Sequence, residues 1–103
     1  MQEDFRKLDR GVKACLRMIA TSRLSREDKK HVEACKKALS VLRLDIRDYE
    51  YAETRLEQLK WAKIADNNLR ALEQHTLALS EYFGPVDIAE LSAHIDLLKS
   101  KID

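Results

Sequence analysis

Between residues 26 and 83 the chain runs 58 residues without a glycine or a proline. These two residue types punctuate secondary structure most strongly, glycine by its backbone freedom and proline by its fixed φ and missing N–H. Only 2 Gly and 1 Pro occur among all 103 residues, too few for the many turns of a β-sandwich or barrel. Ala, Glu, Lys, Leu and Arg fill 54 positions, a composition typical of long helices and coiled coils. The expected class is all-α, with residues 1–103 forming a single domain of modest core. Hydrophobic residues at 45% and a formal net charge of +1 argue against disorder.

Helical periodicity is explicit in four stretches. Phe5, Leu8, Val12, Cys15 and Ile19 recur at intervals of three and four, as do Val32, Cys35, Leu39, Leu42, Ile46 and Tyr49. The same spacing links Ala65, Leu69, Leu72, Thr76, Leu79 and Phe83, and again Ile88, Leu91, Ile95, Leu98 and Ile102. Such positions form one stripe on a helix. Between the second and third stripes the register is untidy, and Ala52, Leu56, Leu59 and Ala62 offer a shifted stripe like that of a stutter.

Punctuation divides the pattern. Ser25 reads as an N-cap, with Glu27 and Asp28 in the positive first turn. Gly84 and Pro85 mark the clearest stop; Asp87 reads as the next N-cap, with Glu90 three residues on and Val86 stapling to Leu91. Gly11 lies inside the first helix, as a close helix contact or a tolerated cost of about 1 kcal/mol. The expected helices span about residues 3–21, 26–83 and 87–102.

The middle span admits two antiparallel bundles with coiled-coil-like heptad packing. Broken once, at residues 45–51 or at Asp66, Asn67 and Asn68, it gives four helices. Unbroken, it gives three, with a central helix of about 87 Å and flanking helices of about 28 Å and 24 Å. Each end of that long helix would be a two-helix hairpin with too little core, so this version predicts a two-fold homodimer.

The near-zero net charge conceals an asymmetry. Residues 1–47 carry 13 Lys/Arg against 7 Asp/Glu, and residues 48–103 carry 6 against 11. Arg6, Arg10, Lys13 and Arg17 form a basic stripe beside the first apolar seam, and Lys29, Lys36 and Arg43, extended by Arg47, form another at heptad spacing. This pattern suits RNA, DNA or an acidic protein partner. Against it stands the simpler reading, in which the basic half faces the acidic half within one chain or across a dimer. No recognised nucleic-acid motif is present, and Phe5 is the only aromatic residue before Tyr49.

No catalytic residue, cofactor site, small-molecule substrate or metal site is expected. The only glycines are Gly11 and Gly84, so no phosphate loop exists, and no nucleophile elbow occurs. Cys15 and Cys35 lie on apolar seams, where cysteine behaves as a small hydrophobe. His31 shares a face with Cys35, but a structural zinc site takes four ligands and no fourth is evident. His75 and His94 read as isolated surface or amphipathic residues. No apolar run approaches the length of a membrane span and the acidic start is no signal peptide, so a soluble cytoplasmic protein is expected.

The function these features favour is a non-enzymatic helical module for protein–protein interaction or oligomerisation, acting as scaffold or adaptor. Its candidate interface residues, as core or docking surface, are Tyr49, Leu56, Leu59, Trp61, Leu69 and Leu72. The alternative is a nucleic-acid-binding subunit using Arg6, Arg10, Lys13, Arg17, Lys29, Lys36 and Arg43. A small all-α enzyme with converging cations ranks third, because the basic stripes flank the apolar seam rather than occupy it.

Overall fold

The structure, a computed structural model, describes residues 1–102. It holds four α-helices and one 3₁₀ turn: α1 (Gln2–Met18), α2 (Arg26–Tyr51), α3 (Arg55–Ala78), the 3₁₀ turn Ser80–Tyr82, and α4 (Pro85–Ile102). Helices α2 and α3 form an antiparallel hairpin, α1 and α4 pack as a second antiparallel pair, and α1–α2 and α3–α4 contacts join the two pairs. The body measures 47 × 25 × 16 Å.

The middle span is therefore broken, and the long central helix does not form. The break falls at residues 52–54, just past the first expected site. Its cause is a capping signal: Thr54 adopts φ −120°, ψ 156°, and its Oγ1 accepts from the Glu57 N–H at 3.1 Å. Thr54 with Glu57 three residues later is the Thr-x-x-Glu pattern of a helix start. With four helices in one chain the cross-section is complete, and the argument for a homodimer, which required an unbroken helix, no longer follows. The second expected break is helical because its side chains have other work. Asn68 Nδ2 donates to Asp45 Oδ2 at 2.5 Å, binding α3 to α2, and Asp66 accepts from Arg70 Nε at 2.8 Å.

The other boundaries shift less. Ser25 caps α2 as expected, its Oγ accepting from the Asp28 N–H at 3.0 Å. Helix α1 ends at Met18 rather than near residue 21. Helix α4 begins two residues before the expected Asp87 cap, with the Gly84 carbonyl accepting from the Ile88 N–H at 3.1 Å. Proline is pre-organised for that first helical position. Val86 consequently points outward, 71% exposed, instead of stapling to Leu91.

All four apolar seams turn inward. Leu8, Leu42, Leu69, Leu72 and Leu98 have no exposed surface, and Phe5, Val12, Ile46, Leu79 and Ile95 are buried with them. The shifted stripe does not follow: Ala62 is buried, whereas Leu56 and Leu59 stay exposed. Lys101 pairs with Asp4 at 2.5 Å and Lys99 with Glu73 at 3.3 Å, tying α4 to α1 and α3. Among the described residues, no helix is long and apolar enough to cross a membrane.

At Gly11 helix α1 packs closely on α4, because a Cβ there would lie 3.1 Å from Leu91 Cδ2. Gly11→Val is expected to cost about 1–3 kcal/mol by overpacking this contact, despite valine's better helix propensity. Urea denaturation compared with the parent chain measures it.

Candidate docking groove

Helices α1 and α2 diverge enough to leave a furrow along their outer junction. Three adjoining hollows make it up. One, of about 490 Å³, lies between the start of α1 and the end of α2, with Arg6, Arg43, Arg47 and the exposed Tyr51 around it. One of about 530 Å³ lies at the opposite end, lined by Leu16, Ile19, Leu24 and Val32 with Lys13, Arg17, Lys29 and Lys36. A third, of about 360 Å³, bridges them and shares Phe5, Asp9 and Arg43 with the first and Lys13 and Lys36 with the second. The seams explain this shape. They bury Leu8, Val12, Leu39 and Leu42, and the residues beside each seam become the two rims.

Six of the seven expected basic residues line this furrow: Arg6, Lys13 and Arg17 from α1, and Lys29, Lys36 and Arg43 from α2. Arg10 does not; it points to solvent and lies 4.0 Å from Glu3. Arg47 adds a seventh rim cation. Among the described residues, Asp9 is the only acid lining the furrow, 3.0 Å from Lys13.

Among the described residues, the cations of α1 and α2 form their ion pairs with acids on those same two helices. Arg6 pairs with Glu3, Lys36 with Glu33 and Arg47 with Asp48, each within its own helix. Among the described residues, the side chains of Arg17, Lys29 and Arg43 have no ion-pair partner, and no cation of α1 or α2 reaches an acid of α3 or α4. Four of the seven rim cations are thus paired with acids on α1 or α2, and among the described residues none is paired across to α3 or α4.

The expected protein-interface residues scatter. Leu69 and Leu72 lie in the centre of the bundle's own core, and Tyr49 packs half-buried against it. Leu56 and Leu59 stand out from α3, 79% and 50% exposed, beside Lys60, Lys63 and Ile64 in a shallow hollow. Trp61 is half-buried, with the Lys60 ammonium 5.1 Å from its ring centre. Sequence reasoning missed the groove as a place. It found both basic stripes, but their convergence depends on how α1 turns back onto α2.

His75 is not isolated. Its Nδ1 lies 2.9 Å from His31 Nδ1 across the α2–α3 junction, with the ring centres 5.2 Å apart, and Glu27 Oε1 stands 3.9 Å from His31 Nε2. Nearby α2 is also tied to the 3₁₀ turn, where the Tyr82 hydroxyl donates to Asp28. Burial, and then the neighbouring His31, holds His75 below the ordinary histidine value of 6.5. The unfolded chain thus takes up that proton more readily than the folded one. The stabilisation is present above the unfolded value and is lost as pH falls from there through the lower folded value. Tm is expected to be lower at about pH 5.5 than at about pH 7.5, and His75→Gln to shrink that difference. Calorimetry of both chains checks it.

The thiols are ill-suited to chemistry. Burial pushes Cys35 up to about 12 and raises Cys15, which Asp87 and Glu90 raise further, and a thiol held protonated is a poor nucleophile. Among the described residues, no group of three His, Cys, Asp or Glu side chains is placed to hold a metal ion.

No protein-family model, curated protein or solved structure matches the chain.

Proposed function

We propose that the chain is a non-enzymatic interaction module, a scaffold or adaptor that seats a protein partner in the α1–α2 groove. One observation carries this reading: an apolar floor and two rims of cations share one furrow, and among the described residues three of those cations, Arg17, Lys29 and Arg43, have no ion-pair partner. Covering the floor supplies affinity, and the rims steer the partner and set its register. The two free buried thiols suit a reducing compartment, so we place the module in the cytoplasm.

Nucleic acid is the second reading, favoured by the convergence of six expected phosphate-binding residues. A phosphate backbone would engage the rims and leave the floor uncovered. Single strands gain by stacking bases on aromatic platforms, and the groove offers only the buried Phe5 and, at one end, Tyr51.

A photo-crosslinking amino acid placed at Ser40, on the groove, and separately at Ala93, on the exposed side of α4, tests the reading in cells. Protein adducts are expected from position 40 alone, and are expected to vanish when Lys29→Glu and Arg43→Glu are added. Equal adducts from both positions, or none from position 40, would overturn it.

A further inference from the structure

We infer that the occupant of the groove is an acidic amphipathic α-helix of about five turns; this rests on the docking reading above. The rim spacing points to it. Arg6 and Lys13 on one side, and Lys29, Lys36 and Arg43 on the other, recur every seventh residue. Seven helical residues advance about 10.5 Å. A helix laid along the furrow presents its own heptad positions at that same repeat, so one acid per heptad meets a cation at every step. An extended strand repeats a face at intervals of about 6.8 Å, so it meets the first and third cations of a rim and misses the middle one by about 3 Å. Phosphates on a nucleic-acid strand, about 3.4 Å apart along the axis, meet the same repeat at every third position, so it is the apolar floor, which a phosphate backbone leaves uncovered, that favours the helix.

The floor sets the rest of the partner's chemistry. Leu24 and Val32 lie half-buried over Leu16 and Ile19 at one end, and Leu44 is 43% exposed at the other. The matching helix therefore has a narrow apolar stripe flanked by acids on both sides. From Lys29 to Arg47 the furrow extends about 27 Å, room for about 18 helical residues. Such a helix would turn the α1–α2 pair into a three-helix layer and bring to the basic half the negative charge that α3 and α4 do not supply.

The test uses four labelled probes in fluorescence anisotropy. They are an 18-residue helical peptide with leucines on one stripe and glutamates flanking it, the same residues permuted to remove the stripe, polyglutamate, and a short DNA duplex. The amphipathic peptide is expected to bind at least about tenfold more tightly than the permuted one. Its binding is expected to fall at least about tenfold in Lys29→Glu/Arg43→Glu. Equal binding of the permuted peptide or polyglutamate would overturn the inference, as would tighter, steeply salt-dependent binding of the duplex. Dimerisation of the chain that the peptide fails to compete would overturn it in favour of a second copy. If all peptides fail while position-40 adducts persist, the helix inference falls and the docking reading stands; if both fail, both fall.

Discussion

Leu42→Ala is expected to cost about 3–5 kcal/mol of folding stability. Leu42 has no exposed surface and sits in the middle of α2, between the buried Leu39 and Ile46. Alanine is at least as good a helix former as leucine, so the loss does not come from the helix itself. It comes from the apolar surface no longer withdrawn from water and from a void that the surrounding helices fill only in part. A domain of this size holds on the order of 5–15 kcal/mol in total. Tm should therefore drop by about 12–40 °C, at about 4–8 °C per kcal/mol. Leu56→Ala provides the contrast. Leu56 is 79% exposed, and its truncation is expected to stay within about 0.5 kcal/mol. The pair also separates the two bundles the sequence allows, since an unbroken central helix in a dimer would bury Leu56 along its shifted stripe. A large loss at Leu56 would support that dimer and contradict the break at residues 52–54.

The second large effect is on binding rather than stability. Lys29→Glu/Arg43→Glu reverses two rim cations that have no ion-pair partner in the fold. It is expected to weaken an acidic helical ligand by about 100-fold, roughly tenfold for each loss of a charge-assisted contact with added repulsion. Stability is expected to stay level or rise slightly. Arg43 lies among Arg6, Arg47 and Lys36 around the furrow, and like charges gathered on one face oppose folding. Lys29 lies in the first turns of α2, where a negative side chain suits the helix dipole. Surfaces that bind are commonly held at such a small cost to stability. Thermal melts and anisotropy titrations of the same variant read both effects. A Tm falling together with affinity would mean that the cations serve the fold.

Much of the fold was legible because helical burial has a strict period. Every residue of the first and third stripes is buried, and the flanks of Ser25 and Gly84–Pro85 were read close to their true boundaries. What escaped was the central break. Glycine, proline and turn-tolerant acids are the usual stop signals, whereas Thr54 and Glu57 end one helix by starting another. Asp66 and Asn68 mislead for the converse reason: Asn68 bonds across to α2 and Asp66 along α3 rather than to a turn. The site was half legible. Charge spacing identified six of the groove-lining cations, but Arg10, which fits the same stripe, faces away, because i, i+4 spacing places a residue on a helix face without saying what lies beside that face. The His31–His75 pair joins positions 44 apart in sequence, and no local pattern announces it.

The measurement closest to the central claim is a titration of the ¹⁵N-labelled chain with the acidic amphipathic peptide, followed by amide chemical shifts. The groove account predicts that the perturbed amides cluster at residues 2–24 and 29–51, with residues 56–67 unmoved. Perturbations centred on the exposed α3 stripe around Leu56 and Leu59, or spread evenly over all four helices, would contradict it.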